Sequence, residues 1–214
     1  MSINERKEAM KKKGYVITVQ RQFGSLGRPI AKRMAELLDI EFYDRDIVDQ
    51  AAKQLNLPVS VVENAEESAK ELKPNRFSKM MFPLGRSATG TQEKIFEAQQ
   101  NIIKFLADKE SCIIVGRCAD FILSERENTV HIYIYAPYEE RLKHCVNELG
   151  LDEDDAKRMI YEVDRARDSY HSNFAGFLPD DKAHKDILID SSFLGIDGTA
   201  EYLAEAIRMK FPNI

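Results

Sequence analysis

Cysteine is scarce in this chain. Cys112, Cys118 and Cys145 are an odd number without metal-ligand spacing, and two of them adjoin apolar runs. They read as reduced thiols of a cytoplasmic protein, not as a disulfide framework or a zinc site. An excess of positive charge is lacking too: 31 Lys and Arg against 36 Asp and Glu leave a net charge of −5. That argues against a globally basic nucleic-acid binder, while leaving room for a local basic pocket. No apolar run approaches the roughly 20 residues of a membrane span, so no membrane partner is expected. The opening MSINERKEAMKKKG is a charged leader (1–14) without the apolar centre of a signal peptide. Internal repeats and low-complexity tracts are also missing. What is present is core material: 43% of the 214 residues are hydrophobic and 31% charged. This composition suits one packed domain, here 15–214, and is too apolar for a disordered chain.

Short β-branched runs alternate with helical patterns. Strands are expected at Tyr15–Gln20, Ile40–Tyr43, Ser111–Val115, Thr129–Tyr135 and Asp186–Asp190. Helices are expected at 29–38, with Ile30, Met34, Leu37 and Leu38 on one face, and at 45–56, 58–68, 91–109, 137–149, 152–170 and 199–210. Pro29 takes a tolerated first-turn position, and the acids Asp152 to Asp155 suit a helix start. Helical connections between strands demand a parallel sheet covered on both faces. The fold class is therefore α/β, a three-layer sandwich with about five parallel strands. The stretch 69–90 breaks the pattern. It holds Lys70, Lys73, Arg76, Lys79 and Arg86 against Glu71 alone, and reads as a long insertion. Its Phe77, Met80, Met81 and Phe82 suit either a subunit contact, and hence a homo-oligomer, or a flap over the core.

Parallel sheets bind ligands beyond the carboxyl ends of their strands, and four segments fall there. Arg21–Arg28 is a glycine loop between a strand and a helix, the arrangement in which backbone N–H groups face a phosphate. The full G-x-x-x-x-G-K-[ST] pattern is absent, because Arg28 and Pro29 follow Gly27. A tight turn that needs Gly24 and Gly27 is the plain alternative. Asp44, after the second strand, is either a helix cap or a carboxylate aimed at a substrate. Arg117, after the third strand, is either a surface charge or a bidentate phosphate contact. Arg165 and Arg167 are two apart and diverge on a regular helix. They are either solvated or reach one ligand together, which needs the helix to fray there or the segment to lie across the site.

In order and spacing these segments resemble one family. Thr18-Val-Gln-Arg-Gln-Phe-Gly-Ser-Leu-Gly-Arg28, Phe42-Tyr-Asp44, Val115-Gly-Arg117, Ile134-Tyr-Ala-Pro-Tyr-Glu-Glu-Arg141 and Asp164-Arg-Ala-Arg-Asp-Ser-Tyr170 are similar to the cytidylate kinase-like family, over about residues 15–210. The resemblance implies a P-loop kinase fold that moves the γ-phosphoryl group of ATP to a nucleoside monophosphate, CMP or dCMP, or to a similar small acceptor. It implies Gly24, Ser25, Gly27 and Arg28 as the phosphate loop, Asp44 and Arg117 facing the acceptor, and Arg165 and Arg167 in a lid near 165–182. Arg28, Arg165 and Arg167 would be the catalytic cations. ATP with Mg²⁺ is the implied cofactor and a small nucleotide the partner. No residue is assigned to the metal, since Pro29 stands where the usual hydroxyl would hold it, and the usual lysine for the phosphates is missing as well. That defect keeps a second function open, a weakly active or inactive nucleotide- or anion-binding protein on the same fold.

Overall fold

The computed structural model describes residues 14–56, 59 and 89–212. The leader before residue 14, most of the expected helix at 58–68 and nearly all of the basic insertion lie outside the described residues. Strands β1 (Val16–Arg21), β2 (Glu41–Tyr43), β3 (Cys112–Val115), β4 (Thr129–Tyr135) and β5 (Ile187–Asp190) form one parallel sheet in the order β2-β3-β1-β4-β5. The helices are α1 (Gly27–Leu38), α2 (Arg45–Leu55), α3 (Thr89–Lys109), α4 (Ala119–Ile122), α5 (Tyr138–Asn147), α6 (Glu153–Ala175) and α7 (Gly195–Lys210).

Alternation along the strands splits the apolar side chains between two layers. Val16, Cys112 and Ile114 pack with Ile47, Val48, Ile95 and Ile103 of α2 and α3. Ile17, Val19, Ile113 and Val115 pack on the other face with Ile30 and Met34 of α1 and Leu203 and Ile207 of α7. Each of these large side chains is essentially shut off from water, and each contributes roughly 1.5–3 kcal/mol of transfer free energy. The expected three-layer α/β sandwich is the fold observed.

Boundaries differ in instructive places. Helix α1 starts at Gly27, two residues before the expected Pro29, because Leu26 takes a left-handed conformation (φ 58°) and its carbonyl accepts the first helical bond, from Ile30 N at 3.1 Å. Pro29 still falls in the first turn, where a missing N–H costs nothing. Helix α6 runs five residues beyond Tyr170, to a stop at Gly176 (φ 82°), the first residue there suited to a left-handed C-cap. Its start is as expected, with the Asp152 carboxylate accepting from Asp154 N and Asp155 N at 3.0 Å. No helix among the described residues is long and apolar enough to cross a membrane.

Candidate functional site

The register brings the ends of β1, β2, β3 and β4 to one edge, and the glycine loop Gln22–Leu26 sits above it. Two neighbouring helices brace that loop. Asp164 of α6 accepts a hydrogen bond from Phe23 N at 2.7 Å and pairs with Arg141 of α5, whose guanidinium also donates to Phe23 O at 3.3 Å. Phe23 itself is buried against Cys145, Met159 and Val163. Gly24 (φ 75°) has no room for a side chain, since a Cβ would lie 2.8 Å from Arg141 O and 2.9 Å from Cys145 Sγ. Ser25 is fully buried, and its hydroxyl faces the carbonyls of Gln22 at 2.9 Å and Ile134 at 3.1 Å. It fixes the loop from beneath.

Arginines gather where the strands end. Arg21, Arg117 and Arg167 line one small cavity with Gln20, Cys118, Tyr170 and His171. Arg167 Nη1 also donates to Arg21 O at 3.0 Å, tying α6 to the tip of β1. Gly116, Arg117 and Cys118 are all left-handed, with φ of 76°, 60° and 51°. For the two non-glycine residues this conformation costs on the order of 1–3 kcal/mol each, a kind of strain that concentrates at functional sites. Asp44 holds the N-cap position of α2, yet its side chain makes no capping bond and pairs with Arg28 Nε instead. Burial pushes the Asp44 carboxyl up, but Arg21, Arg117 and Arg28 together hold it below its ordinary value.

The sequence-based candidates divide on this geometry. Asp44, Arg28 and Arg117 converge with Arg167 on the strand ends. Arg28 bonds the carboxylate of Asp44, a contact between two segments read separately in the sequence. Because α6 is continuous, Arg165 faces solvent on the side away from Arg167. Sequence reasoning missed a second layer beneath the cavity. The Asp120 carboxylate accepts from Gln20 Nε2 at 2.9 Å, Lys185 Nζ at 2.7 Å and His171 Nε2 at 3.0 Å, while His171 Nδ1 lies 2.8 Å from Phe177 O. Both ring nitrogens thus face oxygen atoms, which fixes the ring between α4 and the turn after α6. Asp120, His171 and Lys185 lie far apart in the sequence, the last two within polar runs, and no local pattern announces their meeting.

The donor set favours phosphate over metal. Guanidinium groups at a strand edge suit phosphate oxygens. The loop hydroxyl that would hold Mg²⁺ is not on offer, because Ser25 is turned to backbone carbonyls. Among the described residues no group of three or more His, Cys, Asp or Glu gathers as a cation cage. A wider groove at the opposite edge, between Tyr15, Ile40, Phe42 and Ser111, lies at the amino ends of the strands, where such sheets do not seat ligands.

The model of the cytidylate kinase-like family matches residues 16–193. The chain belongs to that family. This cytidylate kinase-like protein resembles, among solved structures, an uncharacterized protein from Eubacterium ventriosum at 25% identity and a TM-score of 0.68, covering 90% of this chain and 98% of that one. TT1252 from Thermus thermophilus follows at 12% identity and a TM-score of 0.58, covering 92% and 97%. A shikimate kinase from Bacteroides thetaiotaomicron matches at 11% identity and a TM-score of 0.50, covering 92% and 98%. The last two likenesses are of fold. No curated protein matches the chain significantly. Family membership makes this a cytidylate kinase-like protein, and its fold is the one that P-loop kinases share.

Proposed function

We propose that this protein is a cytoplasmic phosphotransferase, moving the γ-phosphoryl group of ATP to CMP, dCMP or a similar small phosphate acceptor. The observation that carries the reading is the convergence of Arg21, Arg117 and Arg167 on one cavity at the carboxyl edge of the sheet. Phosphoryl transfer asks little covalent chemistry of a protein and much positive charge, aimed where the transferred group's oxygens will lie. In this reading the backbone at Gly24, Ser25 and Gly27 holds the donor phosphates. Asp44 and Arg117 face the acceptor, and Arg28 positions Asp44 through their ion pair. Arg167 closes on the transferring group from α6, with Arg165 at the outer rim of the same lid.

A second reading has its own support. Ser25 is turned away from any ligand and Gly27 carries no cation, so the loop suits binding of a nucleotide or anion with little turnover. A coupled ADP-release assay across CMP, dCMP, UMP and AMP, run beside calorimetric titration of ATP, separates the two. Acceptor-dependent ADP release, greatest with CMP or dCMP, is expected. ATP binding without such release would assign the binding function, and neither would sink both readings.

A further inference from the structure

The residue that ends the glycine loop in a left-handed conformation is Leu26, at φ 58°. That is the conformation for which glycine is the default residue. Leu26 therefore marks the second glycine of G-x-x-x-x-G-K-[ST], and the register shifts by one from the reading that takes Gly27 as that glycine. Counted from Leu26, the first glycine position is Arg21 and the lysine position is Gly27. The bulky cation and the glycine have changed places.

The packing shows why they go together. Gly27 has an ordinary helical φ, so glycine is not needed there for conformational freedom. It is needed for space: a Cβ at Gly27 would lie 2.7 Å from Arg21 Cβ and 3.1 Å from Arg21 Cγ. The stem of Arg21 crosses the spot where a lysine side chain would begin. Its guanidinium then reaches the end of β3, where a Cβ on Gly116 would lie 2.6 Å from Arg21 Nη1. Arg21 is thus seated between two glycines, Gly27 at the start of α1 and Gly116 just after β3. Its charge arrives beside Arg117 in the cavity and, with those of Arg117 and Arg28, holds the Asp44 carboxyl down.

We propose that Arg21 is the cation that binds the terminal phosphates of the nucleotide, delivered from the tip of β1 in place of a lysine from α1, and that Gly27 is glycine to let it pass. This rests on the reading that the loop holds nucleotide phosphates. The guanidinium stands between the loop and the acceptor edge, so it meets the phosphate nearest the acceptor. Arg28, the nearest cation by sequence, reaches the acceptor side, where it bonds Asp44.

The test uses the full chain with ATP and inorganic tripolyphosphate as probes, followed by calorimetry, and each variant's melting temperature. Arg21→Ala should weaken both probes by roughly ten- to a hundredfold, the loss of a charge-assisted contact. Gly27→Lys alone should lower the melting temperature, because the new stem collides with Arg21. The exchange Arg21→Gly with Gly27→Lys should recover both folding and most of the affinity. If Gly27→Lys itself fails to fold, Gly27→Ala with and without Arg21→Gly reads the same steric coupling. A folded Arg21→Ala protein that binds both probes like the wild type would overturn the assignment and leave the nucleotide reading standing. Tripolyphosphate binding that depends on Arg21 in a protein indifferent to ATP would do the reverse. Wild type that binds neither probe would end both.

Discussion

A single buried carboxylate holds together the floor of the candidate site. The side chains of Asp120, His171 and Lys185 are 1%, 3% and 0% exposed, and they come from α4, α6 and the approach to β5. With Gln20 on β1, they tie four parts of the chain beneath the arginines. Removing the Asp120 carboxylate leaves the Lys185 ammonium unmatched out of water, which costs about 3–5 kcal/mol. Asp120→Asn should therefore lose that much stability in urea melts, and a loss below about 1 kcal/mol would deny Asp120 this role. Burial alone would raise the Asp120 carboxyl, but the hydrogen bond and charge of His171, and then Lys185, hold it well below the usual carboxylate range. The unfolded chain thus takes up this proton more readily than the folded one. The stabilisation is complete above the unfolded value near 4 and fades as the pH drops below it. The acid side of a melting profile should be shallower in Asp120→Asn than in the wild type.

At the scale of elements, α6 joins the glycine loop to the floor of the cavity. Near its middle, Asp164 receives Phe23 N and Arg167 binds Arg21 O. Toward its end, His171 reaches Asp120, and Phe174 stacks on Phe96 of α3 at 4.2 Å. The following turn is fixed as well: Phe177 stacks on His184 at 3.7 Å, and the Lys185 ammonium lies 5.3 Å from the Phe177 ring centre. A continuous helix separates residues two apart by about half a turn, so the two arginines assigned to the lid should not behave alike. Arg165→Ala should leave ATP affinity and melting temperature unchanged. Arg167→Ala should weaken ATP roughly tenfold or more, as the loss of a charged contact does. Equal effects at both positions would show that α6 unwinds on binding, and an effect at Arg165 alone would place the ligand on the outer face.

For the whole molecule, the sequence and the fold meet most closely where the physics is local. Runs such as Val16–Val19 and Ile113–Val115, separated by helical stretches, dictate a parallel sheet before any tertiary contact is known. The carboxyl-edge rule then points to Asp44 and Arg117. What stayed hidden depends on distant pairings: the Arg28–Asp44 bond, the burial of Lys185 against Asp120, and the room that Gly27 leaves for Arg21. Four-residue α4 is too short to show a period. The same contrast between local and global governs charge. The protein carries a net −5, yet its strand edge gathers Arg21, Arg117 and Arg167 into one recess. A polyanion such as duplex DNA must approach the acidic surface as a whole, whereas a small phosphate meets only the recess. Pyrophosphate and ATP should therefore raise the melting temperature. A ligand at a hundred times its Kd adds about 2.7 kcal/mol, and the shift should shrink as added salt screens the arginines. Duplex DNA at equal phosphate concentration should leave the melting temperature where it was. A DNA shift matching that of pyrophosphate would mean that the cations act as an open basic surface, and the recess would lose its claim to select small phosphates.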